Sequence, residues 1–367
     1  MTTHPHRLRP GTARPPIVTG MQTSLTRLWA FVVVLHMGAP ILTAQSAQPP
    51  RDLPQRSTRI VATDRFAFHS DPWINLHHFL YQWSREDRGL EIGRHPAPMP
   101  ERSTVAELSA ADRTAWLSAI GFYRETIASR GNFDSDMMRI KARLVFLDGD
   151  PSAAPADVVP GLANALRSAM PIYRKKWWPR HDEANRRWIG NVLPPLGRHE
   201  AGFVQLTTRV RESTWPDVPW RVDVTAYPNY RAGYTTSEGH IVMFSTDPRN
   251  QNLYSLEMVL HEVQHAEAVE GTMPTALANA FEAVVAKPPA NLWHAIIFAT
   301  AGEFVRSIAA SEGHAGYTPY WIREGFENLD GWKELVRPVS EYWLPVVRGE
   351  VSRVEGLNAL ARALNGR

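Results

Sequence analysis

The 367-residue chain has no cysteine, which excludes disulfides, thiolate metal sites, a cysteine nucleophile and a lipid-modified amino-terminal cysteine. Any metal it holds must be bound by His, Asp or Glu. It also lacks a charge excess of functional size. Of its 40 Lys and Arg, four (Arg7, Arg9, Arg14, Arg27) lie in an acid-free stretch over residues 1–50, leaving 36 to face 37 Asp and Glu. A near-neutral body offers no footprint for a phosphate backbone, so nucleic acid is not an expected partner. Membrane-length apolar runs are missing as well. The run over 28–42 is interrupted by His36, Gly38 and Pro40 and falls short of the roughly 20 residues a span needs, and no later stretch exceeds it. A serine hydrolase lacks support, because Ser245-Thr246-Asp247 has no Gly-x-Ser-x-Gly elbow.

What is present begins with an export signal. From Met21, Arg27 gives a positive start, an apolar run follows, and Thr43-Ala44-Gln45-Ser46-Ala47 offers small residues for cleavage after Ser46. Residues 1–46 therefore read as a leader, with 1–20 an over-long start. The mature chain is expected to be periplasmic or secreted, with no stable membrane span after cleavage; an uncleaved anchor is the alternative. Residues 47–63 are polar and proline-bearing, hence a linker. Helical spacing marks the second half of 65–88, the stretch 109–130 and the stretch 162–189, so 64–202 reads as a helical amino-terminal region. Residues 203–367 form a second region, in which β-rich 222–226 and 240–245 lead into further helices. The expected fold is α+β and predominantly α-helical, with a small mixed or antiparallel sheet ahead of residue 253.

The stretch carrying chemistry is 253–271, LYSLEMVLHEVQHAEAVEG, with His261-Glu262-Val263-Gln264-His265 as an HExxH motif. On a helix, residues i and i+4 share a face, so both imidazoles can converge on one ion while Glu262, about 100° away, can reach a water. Leu256, Val259, Leu260 and Val263 supply the apolar stripe, Asn250 or Asn252 the cap, and Gly271 with Pro274 the end.

Over roughly 239–306 the chain resembles zincin metallopeptidases; the helical amino-terminal half carries no such match. The resemblance implies one Zn²⁺, Glu262 as general base, a peptide or protein substrate, and an edge strand at 240–245. Ala268 and Gly271 stand where the metzincin extension needs glycine and histidine, so the gluzincin branch, with a later Glu as third ligand, is the better match. Glu303 is the expected ligand: it sits in a helix too apolar for a solvated surface, where a carboxylate needs a partner. Glu282 is the alternative, and a Glu303–Arg306 pair at i+3 is the bland account of Glu303. Where that branch carries an acidic residue one turn past the third ligand, this chain has Ser307; Glu257 could partly substitute by orienting His261. For the oxyanion donor the candidates are Tyr317, Tyr320, His294 and His240. On one unbroken helix His294 lies about 180° from Glu303, which weighs against it.

His69, His77 and His78, Trp116, Trp188 and Trp293, and Lys175-Lys176-Trp177-Trp178 read as packing or surface. The expected function is an exported zinc-dependent hydrolase of metallopeptidase type. The rivals are a non-catalytic metal-binding or envelope interaction protein on a zincin framework, and a helical module binding a partner or glycan through aromatics.

Overall fold

The computed structural model describes residues 58–90, 99–150, 153, 155, 157–227, 232–236 and 239–365. The expected leader and most of the expected linker lie outside them. The architecture is α+β and helix-dominated, with one five-stranded mixed sheet. Its strands are β1 (Arg59–Ala62), β2 (Phe66–His69), β3 (Trp220–Thr225), β4 (Gly233–Thr235) and β5 (Ile241–Phe244), in the order β1-β2-β3-β5-β4. β2, β3 and β5 run parallel, and β1 and β4 flank them antiparallel. All residues of β2, β3 and β5 are buried, as expected of strands covered on both faces.

Three sequence expectations change here. The last residues of the expected linker are strand β1. The boundary expected at 202/203 falls inside a continuous helix, and β2 pairs with β3, so the sheet joins strands from both sides of that boundary. The strand at 240–245 is also not an edge: β5 lies between β3 and β4, and β4 is the edge beside it.

The helices are α1 (Pro72–Asp87), α2 (Ala110–Phe122), α3 (Ser135–Val145), α4 (Leu162–Lys176), α5 (Trp178–Arg211), α6 (Leu253–Glu262), α7 (Glu267–Glu270), α8 (Met273–Glu282), α9 (Leu292–Ser311), α10 (Tyr320–Arg323), α11 (Lys333–Pro338), α12 (Leu344–Arg348) and α13 (Arg353–Asn365). Local chemistry explains several starts. Asp71 caps α1 by accepting from the backbone N–H groups of Trp73 (2.7 Å) and Ile74 (3.1 Å), with Pro72 in the first turn. Ser109 caps α2 through Asp112 N–H (3.1 Å). Pro179 opens α5, which then runs 34 residues through Pro194 and Pro195.

α1, α2 and α4 enclose an aromatic core in which Trp116 and Trp177 lie 4.4 Å apart by ring centre, with Phe79 and Tyr173 beside them. The first-half histidines serve packing, as expected: His77 Nδ1 pairs with Tyr123 OH (2.9 Å) and His78 Nε2 with Tyr234 OH (2.8 Å). Among the described residues no helix is long and apolar enough to cross a membrane.

Candidate metal centre

The α6 helix begins after Asn252, whose φ of 57° an asparagine tolerates better than most residues. Asn252 makes no side-chain cap. Asn250 instead donates to the carbonyls of Ala232 (3.0 Å) and Phe244 (3.1 Å), tying the helix entry to the strand ends. The expected helix through 271 is shorter than the periodicity predicts. After Glu262 the backbone tightens into a 3₁₀ turn over Val263–His265, and Ala266 is extended. Both motif histidines still converge, because the change comes only in the last turn.

α9 packs against α6. Gln264 spans the two, donating to Leu260 O (2.7 Å) and Ile297 O (3.4 Å). Phe298 packs against both histidines, its ring centre 3.9 Å from His261 and 4.9 Å from His294, and Trp332 lies on the same flank, 5.4 Å from His294 and 6.0 Å from Phe298.

The third side chain at the motif is His294, not Glu303. His294 Nε2 lies 3.1 Å from His261 Nε2, and His265 Nε2 lies 3.4 Å from it. Each histidine offers one ring nitrogen, all within 4.8 Å of one another. Glu303 faces the other flank of α9. There it accepts from Arg306 (2.5 and 2.8 Å) and from Arg348 of α12 (2.7 Å), which hold its carboxyl below its ordinary range against the opposing effect of burial. Glu282 is exposed at the end of α8. The two faces of α9 were separable in the sequence: nine residues is two and a half turns, so only one of His294 and Glu303 can look at α6. What the sequence lacked was the second arginine, 45 positions beyond Glu303.

His261 is buried, and His265 and His294 are half-buried. Burial, followed by the neighbouring His294, His265 and Arg211, holds His261 well below the usual imidazole range; burial, then Arg211, brings His265 down to about 4. Three neutral imidazoles with converging Nε2 atoms are a ligand set. Nitrogens placed 2.0–2.1 Å from a tetrahedral ion stand about 3.4 Å apart, close to the spacing found, so the group could hold a metal ion. His261 Nδ1 has no hydrogen-bond partner among the described residues.

Glu262 is buried beside β4. Thr235 Oγ1 donates to its Oε2 (3.0 Å) and also reaches its backbone carbonyl (2.7 Å). Gly233 permits this closeness, since a Cβ there would meet Met243 Sδ at 2.8 Å and Glu262 Cγ at 3.2 Å. Burial pushes the Glu262 carboxyl up to about 8, with the Thr235 hydrogen bond opposing.

The remaining candidates are engaged elsewhere. Glu257 does not orient His261. It accepts from Tyr317 OH and from Tyr320 N–H (2.9 and 3.1 Å), and burial raises it to about 7. Tyr317 is thereby committed to Glu257, and the Tyr320 ring lies parallel to Phe298 with centres 6.0 Å apart. His240 Nε2 pairs with Asp223 (2.7 Å).

No family model, no curated protein and no solved structure matches the chain.

Proposed function

We propose that this chain is an exported zinc-dependent hydrolase of metallopeptidase type, zincin-like in its HExxH helix, with His261, His265 and His294 as ligands and Glu262 as general base. The observation that carries the reading is the convergence of three Nε2 atoms beside a buried, hydrogen-bonded Glu262. Three histidines depart from the gluzincin pattern that the sequence resembles, so the subclass is a His₃ centre. Zinc suits the set: imidazole nitrogens, no thiolate, and a spacing near a tetrahedral edge.

A divalent ion there supplies Lewis acidity toward a carbonyl and a lowered pKa for water. The protein's own residues do the rest. Glu262, aimed by Thr235, takes the proton of the attacking water as the C–O bond forms. It then returns that proton to the nitrogen released when the C–N bond breaks. The Phe298 and Trp332 rings exclude bulk water from one side of the histidines. The export assignment rests on the leader-like residues 1–46 and is tested by the cleavage position of the mature chain.

The purified wild type should carry one zinc per chain, lost in His265→Ala and His294→Ala. Glu262→Gln should keep the zinc and lose turnover of a mixed peptide library by about 10²–10⁴-fold. Zinc retained in His294→Ala would end the ligand assignment. Turnover retained in Glu262→Gln would end the hydrolytic one.

A further inference from the structure

Arg211 ends α5 and is fully buried, yet its Nε, Nη1 and Nη2 have no hydrogen-bond acceptor among the described residues. Its place is fixed on two sides. The guanidinium lies 4.5 Å from the ring centre of Trp293, the residue before His294. Its backbone carbonyl accepts from Thr272 N–H (2.9 Å), and a Cβ on Gly271 would meet that carbonyl at 2.2 Å, so the backbone there is pressed against the turn that follows His265 and α7. Arg211 is thus built into the wall of the histidine cluster.

Burying a guanidinium without an ion-pair partner costs several kcal/mol, and stacking on one aromatic face returns about 2 kcal/mol of it. Glu270 influences it through space but makes no ion pair with it among the described residues. Neither the stacking nor Glu270 repays that cost, so on balance the fold is no more stable with this charge than with a methionine in its place.

We propose that Arg211 receives a carboxylate of the substrate, one lying next to the scissile bond; this rests on the peptidase reading above. The planar fork of an arginine matches a carboxylate through two parallel hydrogen bonds. A phosphate fits less well, because its second charge needs another cation, and the neighbouring Arg209 is spent on the carbonyls of Val346 and Val347 (2.9 and 2.6 Å). Trp293 covers the guanidinium and is itself half-exposed, so a side-chain movement rather than a backbone one admits the ligand. The carboxylate is either the carboxy terminus of a peptide or an acidic side chain.

The test uses the full mature chain freed of metal by chelation, so that it does not depend on zinc or turnover. Calorimetry compares N-acetyl-L-phenylalanine, its amide, and the α-amide of N-acetyl-L-aspartate. At least one carboxylate should bind about ten-fold or more tightly than the uncharged amide, and that preference should vanish in Arg211→Gln. Whichever carboxylate binds identifies its source. Arg211→Met should unfold at the same urea concentration as wild type or a higher one. The proposal is overturned by equal binding of the amide, by no binding of any of the three at millimolar concentration, by a preference that survives Arg211→Gln, or by a lower midpoint for Arg211→Met. A chain that takes up no zinc but still prefers carboxylates would overturn the peptidase reading and the place beside a scissile bond, leaving Arg211 as a carboxylate-binding residue alone.

Discussion

Arg211 and Arg221 lie ten residues apart, both are buried, and their electrostatic circumstances are opposite. Arg221, on β3, sits among three buried carboxylates: Asp223 (2.7 Å), Asp148 (3.6 Å) and Asp71 (3.8 Å). Two histidines extend the cluster: His240 pairs with Asp223, and His69 shares Thr58 with Asp148. Asp223 in particular holds Arg221 above the ordinary arginine range despite its burial. Around Arg211 the same burial wins, bringing it down to about 9. The β3 cluster supplies its own counter-charges and ties β2, β3 and the approach to β5, although Asp71 Oδ2 and His240 Nδ1 make no hydrogen bond among the described residues. The region around α6 and α9 brings together converging lone pairs and a cation without a hydrogen-bond acceptor among the described residues. A buried charge with its counter-charge beside it is architecture; a buried guanidinium with no acceptor calls for another explanation.

The sharpest way to break that comparison is Arg221→Met. It strands three buried carboxylates and should cost about 3–5 kcal/mol in urea unfolding, in contrast with the neutral or favourable Arg211→Met. A smaller effect follows from Glu257. Its folded carboxyl titrates near 7 rather than its ordinary 4.5, so the native state binds the extra proton in that window. The stability it contributes is present below about pH 4.5 and is lost as pH rises through 7. Glu257→Gln should therefore gain on wild type by about 3 kcal/mol between pH 5 and 8, read as the difference between their urea curves; a difference flat with pH would refute this. The smallest expected effect is that of Glu303→Ala. Both arginine partners are more than a third exposed, so it should cost about 1 kcal/mol and leave the metal content of the purified protein unchanged.

The sequence made half of the centre readable. His261, Glu262 and His265 are local: one helical turn relates them, and even a switch to 3₁₀ geometry at Val263 leaves their convergence intact. Thr235 was invisible because nothing in the spacing of 233–235 marks it as the strand that grips Glu262. His294 was seen and discounted, since the choice between it and Glu303 depends on the rotation of α9 and not on its composition. Both faces of α9 are apolar enough to be buried. The helix-dominated α+β fold was legible from periodicity. The sheet order was not, because β2 and β3 meet only after 150 residues of intervening chain.

The pairing of Glu303 with Arg306 and Arg348 has a consequence for its helix as a whole. A rigid rod held at several points keeps its bearing when one hold is lost. Two and a half turns upstream, the bearing of His294 is held chiefly by the packing of α9 on α6, and the distant grip is only one support among several. The carboxylate that sequence logic would send to the histidines instead ties the far end of the rod to α12, a mooring line that can be cut without turning the ship.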